Sequence, residues 1–196
     1  MWDSRYAEPE WAYGTEPNDF LVEVADRLPP GPILCLAEGQ GRNAVWLAGR
    51  GHDVTAVDAS LVGLERAAAL AEARRVDLQT VHADLEDYDL GHGSWAGIVA
   101  IWCHLPPALR QKVLQGVVRA LRPGGAFVLE AYTPAQLQHN TGGPRSLDLL
   151  YTRAELEAEL QGLDLEILRE VTREIHEGRY HDGPSATVQV LARKPR

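Results

Sequence analysis

Lysine is nearly missing from this chain: Lys112 and Lys194 are the only ones, and with arginine the basic residues reach 19 against 28 acidic, a formal charge of −9. That balance argues against nucleic acid or an anionic membrane as the main partner, and leaves room for a local basic patch. Cysteine is also scarce. Cys35 and Cys103 cannot build a disulfide framework, and they lack metal-ligand spacing, so no metal is expected. No uninterrupted apolar run approaches the roughly 18 residues of a membrane-spanning helix. The start, Met1-Trp2-Asp3-Ser4-Arg5, lacks the apolar stretch of a secretory signal. A cytoplasmic protein is the expectation. Repeats and low-complexity tracts are absent too. What remains is 196 residues, 45% hydrophobic and 24% charged, enough for one domain with an ordinary core.

Short apolar runs alternate with helical patterns along most of that length. Asn18-Asp19 precedes Phe20, Leu21, Val24, Ala25 and Leu28, which share a helical face, and Pro29-Pro30-Gly31-Pro32 stops it. Strands are expected at 33–37, 54–57, 78–82, 98–102 and 126–131. The helices between them begin near Asn43, after a capping Ser60, and at Pro106-Pro107. Thr152-Arg153-Ala154-Glu155 fits a capping box for a late short helix. Runs at 165–175 and 186–192, separated by a turn, read as a final antiparallel hairpin. Such alternation predicts an α/β fold, a doubly wound, Rossmann-like, mostly parallel sheet.

Glu38-Gly39-Gln40-Gly41-Arg42-Asn43-Ala44 lies between the first strand and its helix. Its glycines allow a tight turn and close approach of backbone to a ligand. Asp58, nineteen positions after Gly39 and at the end of the second strand, is placed to bind ribose hydroxyls. A nucleoside-containing ligand is expected. Glu38 discriminates among them: a carboxylate here repels a pyrophosphate, which helix N-termini normally attract, and tolerates a ligand whose charges are an ammonium and a sulfonium. The Tyr-x-x-x-Lys pair of short-chain dehydrogenases is absent.

On Ile33 to Asn43, Val57-Asp58, Ala83-Asp84-Leu85 and Leu121-Arg122-Pro123-Gly124-Gly125, the chain resembles the class I S-adenosylmethionine-dependent methyltransferases. With Tyr13-Gly14-Thr15-Glu16-Pro17-Asn18, it resembles most the small branch related to tellurite-resistance and thiopurine methyltransferases. That resemblance implies a seven-stranded sheet in the order 3-2-1-4-5-7-6, with S-adenosylmethionine as donor and S-adenosylhomocysteine as product. It implies one methyltransferase domain over 1–196. This comprises an N-terminal cover and helix (1–30), a nucleotide-binding core (31–133), and a substrate loop, helix and hairpin (134–196). By the same resemblance Asp58 holds the ribose, Asp84 the adenine amino group, Leu85 packs on the base, and Glu38 to Gly41 line the methionine part. Ala37, Asn43, Ala59, Ser60, Trp102 and Tyr13 complete the expected cofactor contacts. The family usually carries an acid where Cys35 stands and a glycine where Ala37 stands; here the acid comes later, as Glu38.

The acceptor is expected to be a small molecule, and thiols or tellurium and selenium oxyanions are the classes the branch suggests. Ligands of open parallel sheets lie beyond the carboxyl ends of the strands. There Trp102, Cys103 and His104 follow the fourth strand, and Glu130, Tyr132 and Thr133 the fifth. His104 is the candidate general base, and equally a residue that hydrogen-bonds its loop. Trp11, Tyr132 and Arg145 are the other candidate acceptor contacts. Arg145 lies in a glycine-bearing loop, 139–145, that suits a lid. His176, Tyr180 and His181 fall at the hairpin turn without a zinc pattern. Two other functions fit the same loop: a nicotinamide-dependent oxidoreductase, and a non-catalytic S-adenosylmethionine-binding module. A monomer and a dimer are both compatible with the chain.

Overall fold

The structure, a computed structural model, describes residues 2–196. Seven strands form one sheet: β1 (Pro32–Leu36), β2 (Asp53–Asp58), β3 (Gln79–His82), β4 (Trp95–Ile101), β5 (Leu121–Tyr132), β6 (Asp164–Glu177) and β7 (His181–Arg193). Their order is β3-β2-β1-β4-β5-β7-β6, the order the resemblance implies. The first five strands run parallel, and β7 pairs antiparallel with both β5 and β6. Among the described residues, six α-helices accompany them: α1 (Trp2–Tyr6), α2 (Asp19–Val24), α3 (Arg42–Gly49), α4 (Leu61–Arg74), α5 (Pro107–Ala120) and α6 (Arg153–Glu159).

Successive residues of a strand point to opposite faces, and this sheet is apolar on both. Leu34, Leu36, Ile98, Phe127, Leu129 and Val190 pack on one side with Val113, Leu114 and Val117 of α5 and Leu156 of α6. Ile33, Cys35, Val99, Val128 and Leu191 pack on the other with Phe20 and Leu21 of α2, Leu47 of α3 and Leu64 of α4. Each large side chain so buried contributes about 1.5–3 kcal/mol. Phe127 is fully buried, and its truncation to alanine should cost about 3–5 kcal/mol.

The caps fall where the chain pattern places them. Ser60 Oγ accepts from Gly63 N at 3.1 Å to open α4, and Thr152 and Glu155 form the reciprocal box at α6. Several strand boundaries differ from those expected, and three of the differences have a local reason. β4 ends at Ile101 because Trp102 turns left-handed, with φ of 58°. β5 starts at Leu121 because Gly124 and Gly125 exchange backbone hydrogen bonds with Lys194, which draws that turn into the sheet. The hairpin strands run on to Glu177 and His181, so a three-residue turn joins them and these two residues form the last rung. Among the described residues, no helix is long and apolar enough to cross a membrane, and no His, Cys, Asp and Glu group clusters as a metal site.

Candidate active site

The carboxyl ends of β1, β2 and β3 form the first half of the site. Gly39 (φ 61°) and Gly41 (φ 86°) shape the loop after β1, and both are obligatory for space as well as conformation. A Cβ at Gly39 would lie 2.5 Å from Tyr6 Oη, and one at Gly41 2.5 Å from Ala67 Cβ on α4. Asp58, at the end of β2, accepts from Gly39 N at 2.8 Å through Oδ2 and from Ser60 N at 2.7 Å through Oδ1. Burial raises its pKa, the two amides oppose that, and Asp3 adds to it. Asp84 is exposed beyond β3, accepting from Glu86 N at 2.9 Å, beside the buried Leu85. Ala59 is exposed, and Ala37 is half-buried with φ of 49°.

Glu38 does more than repel anions. Its Oε1 accepts from Asn43 N at 3.0 Å and Ala44 N at 2.9 Å, so a carboxylate already fills the anion seat at the N-terminus of α3. Burial pushes its pKa up to about 7, against the two amides and Arg42. A pyrophosphate would have to displace it. The mouth of this loop is therefore acidic, formed by Glu38, Asp58 and Asp3, with Ser60 Oγ donating to Asp3. That donor set fits S-adenosylmethionine, which brings an ammonium, a sulfonium and ribose hydroxyls and no phosphate.

The N-terminal residue over this loop is Tyr6, where Tyr13 was expected. Its ring fills the space between Gly39 and Gly63, so that a Cβ at either would strike it. Tyr13 instead faces the hairpin, its ring centroid 6.0 Å from Tyr180 and 4.5 Å from His181, with Arg5 donating to its hydroxyl at 2.7 Å.

The second half of the site lies at the ends of β4, β5 and the hairpin. Trp102, Tyr132 and His104 stack in series at 4.5 and 5.6 Å, and His181 meets the Trp102 and Tyr132 rings edge-on at 5.0 and 5.2 Å. Beneath them runs a buried polar network. Glu177 accepts from Trp102 Nε1 at 2.6 Å, from the Arg42 guanidinium at 2.6 Å and from Asn18 Nδ2 at 2.8 Å. Burial pushes its pKa up, but His181, Arg42 and Trp102 together hold it at about 2. Asn18 Nδ2 also donates to Glu130 at 2.7 Å, and Asn18 N donates to Asn43 Oδ1 at 2.9 Å. Glu130, fully buried, accepts further from Arg173, Thr187 and Gln189.

Three of the four acceptor-side candidates meet other partners in the structure. His104 holds its loop: Nδ1–H donates to Leu149 O at 2.7 Å, and Nε2 accepts weakly from Tyr132 N at 3.4 Å. Burial pushes its pKa down to about 4, so the ring is neutral and already committed. Trp11 lies away from this cluster, against Val45, Leu70 and Ala71, with Arg66 4.9 Å over its ring. Arg145 is exposed and donates to Asn140 Oδ1 at 2.8 Å within its own loop. Of the four, Tyr132 and His104 lie in the ring cluster, and Tyr132 is fully buried. Cys103 is a buried thiol, pushed up to about 12 by burial, which suits packing and not attack. The residues that sequence reasoning missed are Tyr6, Asn18, Arg42, Arg173 and Glu177. No spacing signals them, since Arg42 and Glu177 meet across 135 positions.

Residues 33–125 match the methyltransferase domain family. Among curated relatives, the chain is 26% identical over 141 residues to 2-heptyl-1-hydroxyquinolin-4(1H)-one methyltransferase of Mycobacteroides abscessus, covering 70% of this chain and 62% of that one. It thus spans less than two thirds of that relative's length. Among solved structures it is similar to TehB from Haemophilus influenzae, with a TM-score of 0.75 and 20% identity over 90% of this chain and 62% of that one. A SAM-dependent methyltransferase from Methanosarcina mazei superposes with a TM-score of 0.68 and 17% identity, over 88% and 97%.

Proposed function

We propose that the chain is a class I methyltransferase with S-adenosylmethionine as cofactor, and that it transfers a methyl group to a small-molecule acceptor at the ring cluster of Trp102, Tyr132 and His181. One observation carries the cofactor side: Glu38 occupies the N-terminus of α3, where a dinucleotide's phosphates would need to lie. The oxidoreductase alternative therefore loses its phosphate seat. The cofactor supplies a methyl group on a sulfonium, already a good leaving group, so the protein's part is alignment and exclusion of water.

Each half of the site has a share in this. Asp58 and Ser60 fix the ribose end, Asp84 and Leu85 the base, and Tyr6 closes over Gly39 against solvent. The loop 139–145 covers the acceptor side, tied down by Gln136 Nε2 donating to Thr141 Oγ1 and Gly142 O, both at 3.0 Å. Arg42 and Arg173 are already neutralised by Glu177, Glu130 and Asp19, whereas Arg5, donating to Tyr13 Oη and within Coulombic reach of His181, is held by rings alone among the described residues. The mycobacterial relative's named acceptor, a hydroxyquinolone, would also suit a cluster of aromatic rings.

Calorimetric titration of the purified protein with S-adenosylhomocysteine and with NADH tests the reading. Binding of S-adenosylhomocysteine alone is the expected result; binding of NADH alone would overturn it. A protein that binds S-adenosylhomocysteine but methylates no thiol or hydroxyl acceptor would be the non-catalytic module.

A further inference from the structure

S-adenosylmethionine also carries a carboxylate, on the same amino-acid end as its ammonium, and the mouth of the loop after β1 is set against it. Glu38, Asp58 and Asp3 are all acids there, and Glu38 already holds the amides at the N-terminus of α3, where an anion would otherwise settle. A further carboxylate needs a cation in reach, or it meets only like charge. Most arginines around the site are committed. Arg42 pairs with Glu177 at 2.6 Å, Arg173 with Glu130 at 2.7 Å and Arg179 with Glu8 at 2.8 Å. Arg66 donates to the carbonyls of Tyr6, Pro9 and Glu10.

Arg5 of α1 is the exception. Its Nη1 donates to Tyr13 Oη at 2.7 Å, and its guanidinium carbon lies 4.9 Å from the Trp2 ring centre and 4.6 Å from that of Tyr180. Among the described residues it has no carboxylate partner. The two acids nearest in sequence are engaged elsewhere: Asp3 accepts from Ser60 Oγ, and Glu8 from Arg179 and Tyr180 Oη. Rings take a guanidinium by its faces and leave the N–H groups on its edges free, the pattern that a carboxylate meets with two parallel hydrogen bonds. Arg5 is half-buried, and among the described residues its Nε and Nη2 are neither hydrogen-bonded nor enclosed, so that edge can be reached. Its position also fits. The Tyr13 ring stands edge-on to Tyr6, with centroids 6.5 Å apart, and Tyr6 is the ring over Gly39. The charge of Arg5 acts on Tyr6, Tyr13 and His181, along the border between the cofactor loop and the ring cluster.

Resting on the methyltransferase reading, we propose that Arg5 is the carboxylate anchor of the cofactor, receiving the acid group of the methionine part on the Nε and Nη2 edge of its guanidinium. The amino-acid end of the cofactor then meets a charge of each sign, the loop carboxylates for its cations and Arg5 for its anion. A helix of five residues is marginal by itself, so the anchor depends on what fastens α1. Arg66 ties the end of α1 and the turn after it to α4, and Glu8 ties that turn to the β6–β7 hairpin through Arg179 and Tyr180. Arg5 is thus carried across the mouth on a segment held at both sides. S-adenosylmethionine and S-adenosylhomocysteine share the carboxylate, so Arg5 holds the two alike.

The test is calorimetric binding of two ligands to the full chain: S-adenosylhomocysteine, and its decarboxylated analogue, which keeps the ammonium, the thioether and the nucleoside. The wild type should bind S-adenosylhomocysteine about ten- to a hundredfold more tightly than the analogue, the reach of one charge-assisted pair. Arg5→Gln should abolish that preference by weakening S-adenosylhomocysteine alone, with the analogue bound as in the wild type. Arg5→Lys, which keeps the charge and loses the fork, should retain part of it. A wild type that binds both ligands equally would overturn the proposal. So would an Arg5→Gln variant that weakens both to the same degree, the mark of a residue that only packs α1, or one that weakens neither. Failure of the wild type to bind either ligand would instead strike the methyltransferase reading itself. Should Arg5→Gln not fold, the wild-type preference and Arg5→Lys still decide.

Discussion

The two halves of the site are built in opposite ways. On the cofactor side, neighbours in space are neighbours in sequence: 37–44 after β1, 58–60 after β2 and 84–85 after β3. The contacts are within a loop or between adjacent ones: Asp58 accepts from Ser60 in its own loop and from Gly39 in the next, and Glu38 caps the helix that follows it. On the acceptor side, Asn18, Arg42, Glu130, Glu177 and His181 come from five separate segments and depend on one another. A local loop should tolerate injury and lose ligand. A dispersed buried network should lose the fold.

The sharpest break of that comparison is Glu130→Ala. It leaves Asn18 Nδ2, Arg173 Nε and a second Arg173 nitrogen, Thr187 Oγ1 and Gln189 Nε2 without their shared acceptor, at distances now between 2.7 and 3.0 Å. Removing one partner of a buried ionic network costs about 3–5 kcal/mol. Urea denaturation should show that loss. A change under about 1 kcal/mol would mean the network is not coupled to folding.

His104 gives the next effect, and its sign is fixed by its pKa of about 4 in the fold, below the ordinary imidazole value of about 6.5. A depressed histidine stabilises fully above the unfolded value and loses that contribution as the pH falls toward the folded one. About 2 kcal/mol should be gone by about pH 5 and about 3 kcal/mol near pH 4. His104→Gln should flatten that slope in urea melts taken across the same range. A slope unchanged by the substitution would return the acid sensitivity to other groups.

These two residues also show how far the sequence can be read. The strand order, the glycine loop, Asp58 and the terminal hairpin are legible because each is carried by a contiguous pattern: a periodicity, a turn, an acid at a set distance. Glu130 and His104 are visible as polar residues at strand ends, but their partners are not. His104 looks like a base in the sequence because nothing local reveals Leu149 O, 45 positions away. Tyr6 is invisible for the same reason. Its meaning comes from Gly39 and Gly63 lying under its ring, a tertiary contact that one segment cannot announce.

On the cofactor side the expected injuries are to binding. Asp58→Ala removes the buried acceptor of two amides and the expected ribose partner, and should weaken S-adenosylhomocysteine by about 1–3 kcal/mol, up to roughly a hundredfold. Its urea midpoint should fall less than that of Glu130→Ala. The opposite ranking would erase the contrast between a local loop and a dispersed network.

Glu38 supplies the smallest effect and the finest one. Its pKa of about 7 means that the loop gains a negative charge as the pH passes neutrality. Both ligands carry the ammonium, but S-adenosylmethionine adds a sulfonium where S-adenosylhomocysteine has a neutral thioether, so the former gains more from that charge. The ratio of their affinities should therefore shift a few-fold toward S-adenosylmethionine between about pH 6 and about pH 8, as expected for one partly screened charge pair. Glu38→Gln should make the ratio flat, while keeping an oxygen to accept from Asn43 N and Ala44 N. A ratio that still rises in this variant would place the titrating group elsewhere, with Asp58, also raised by burial, the next carboxylate to replace.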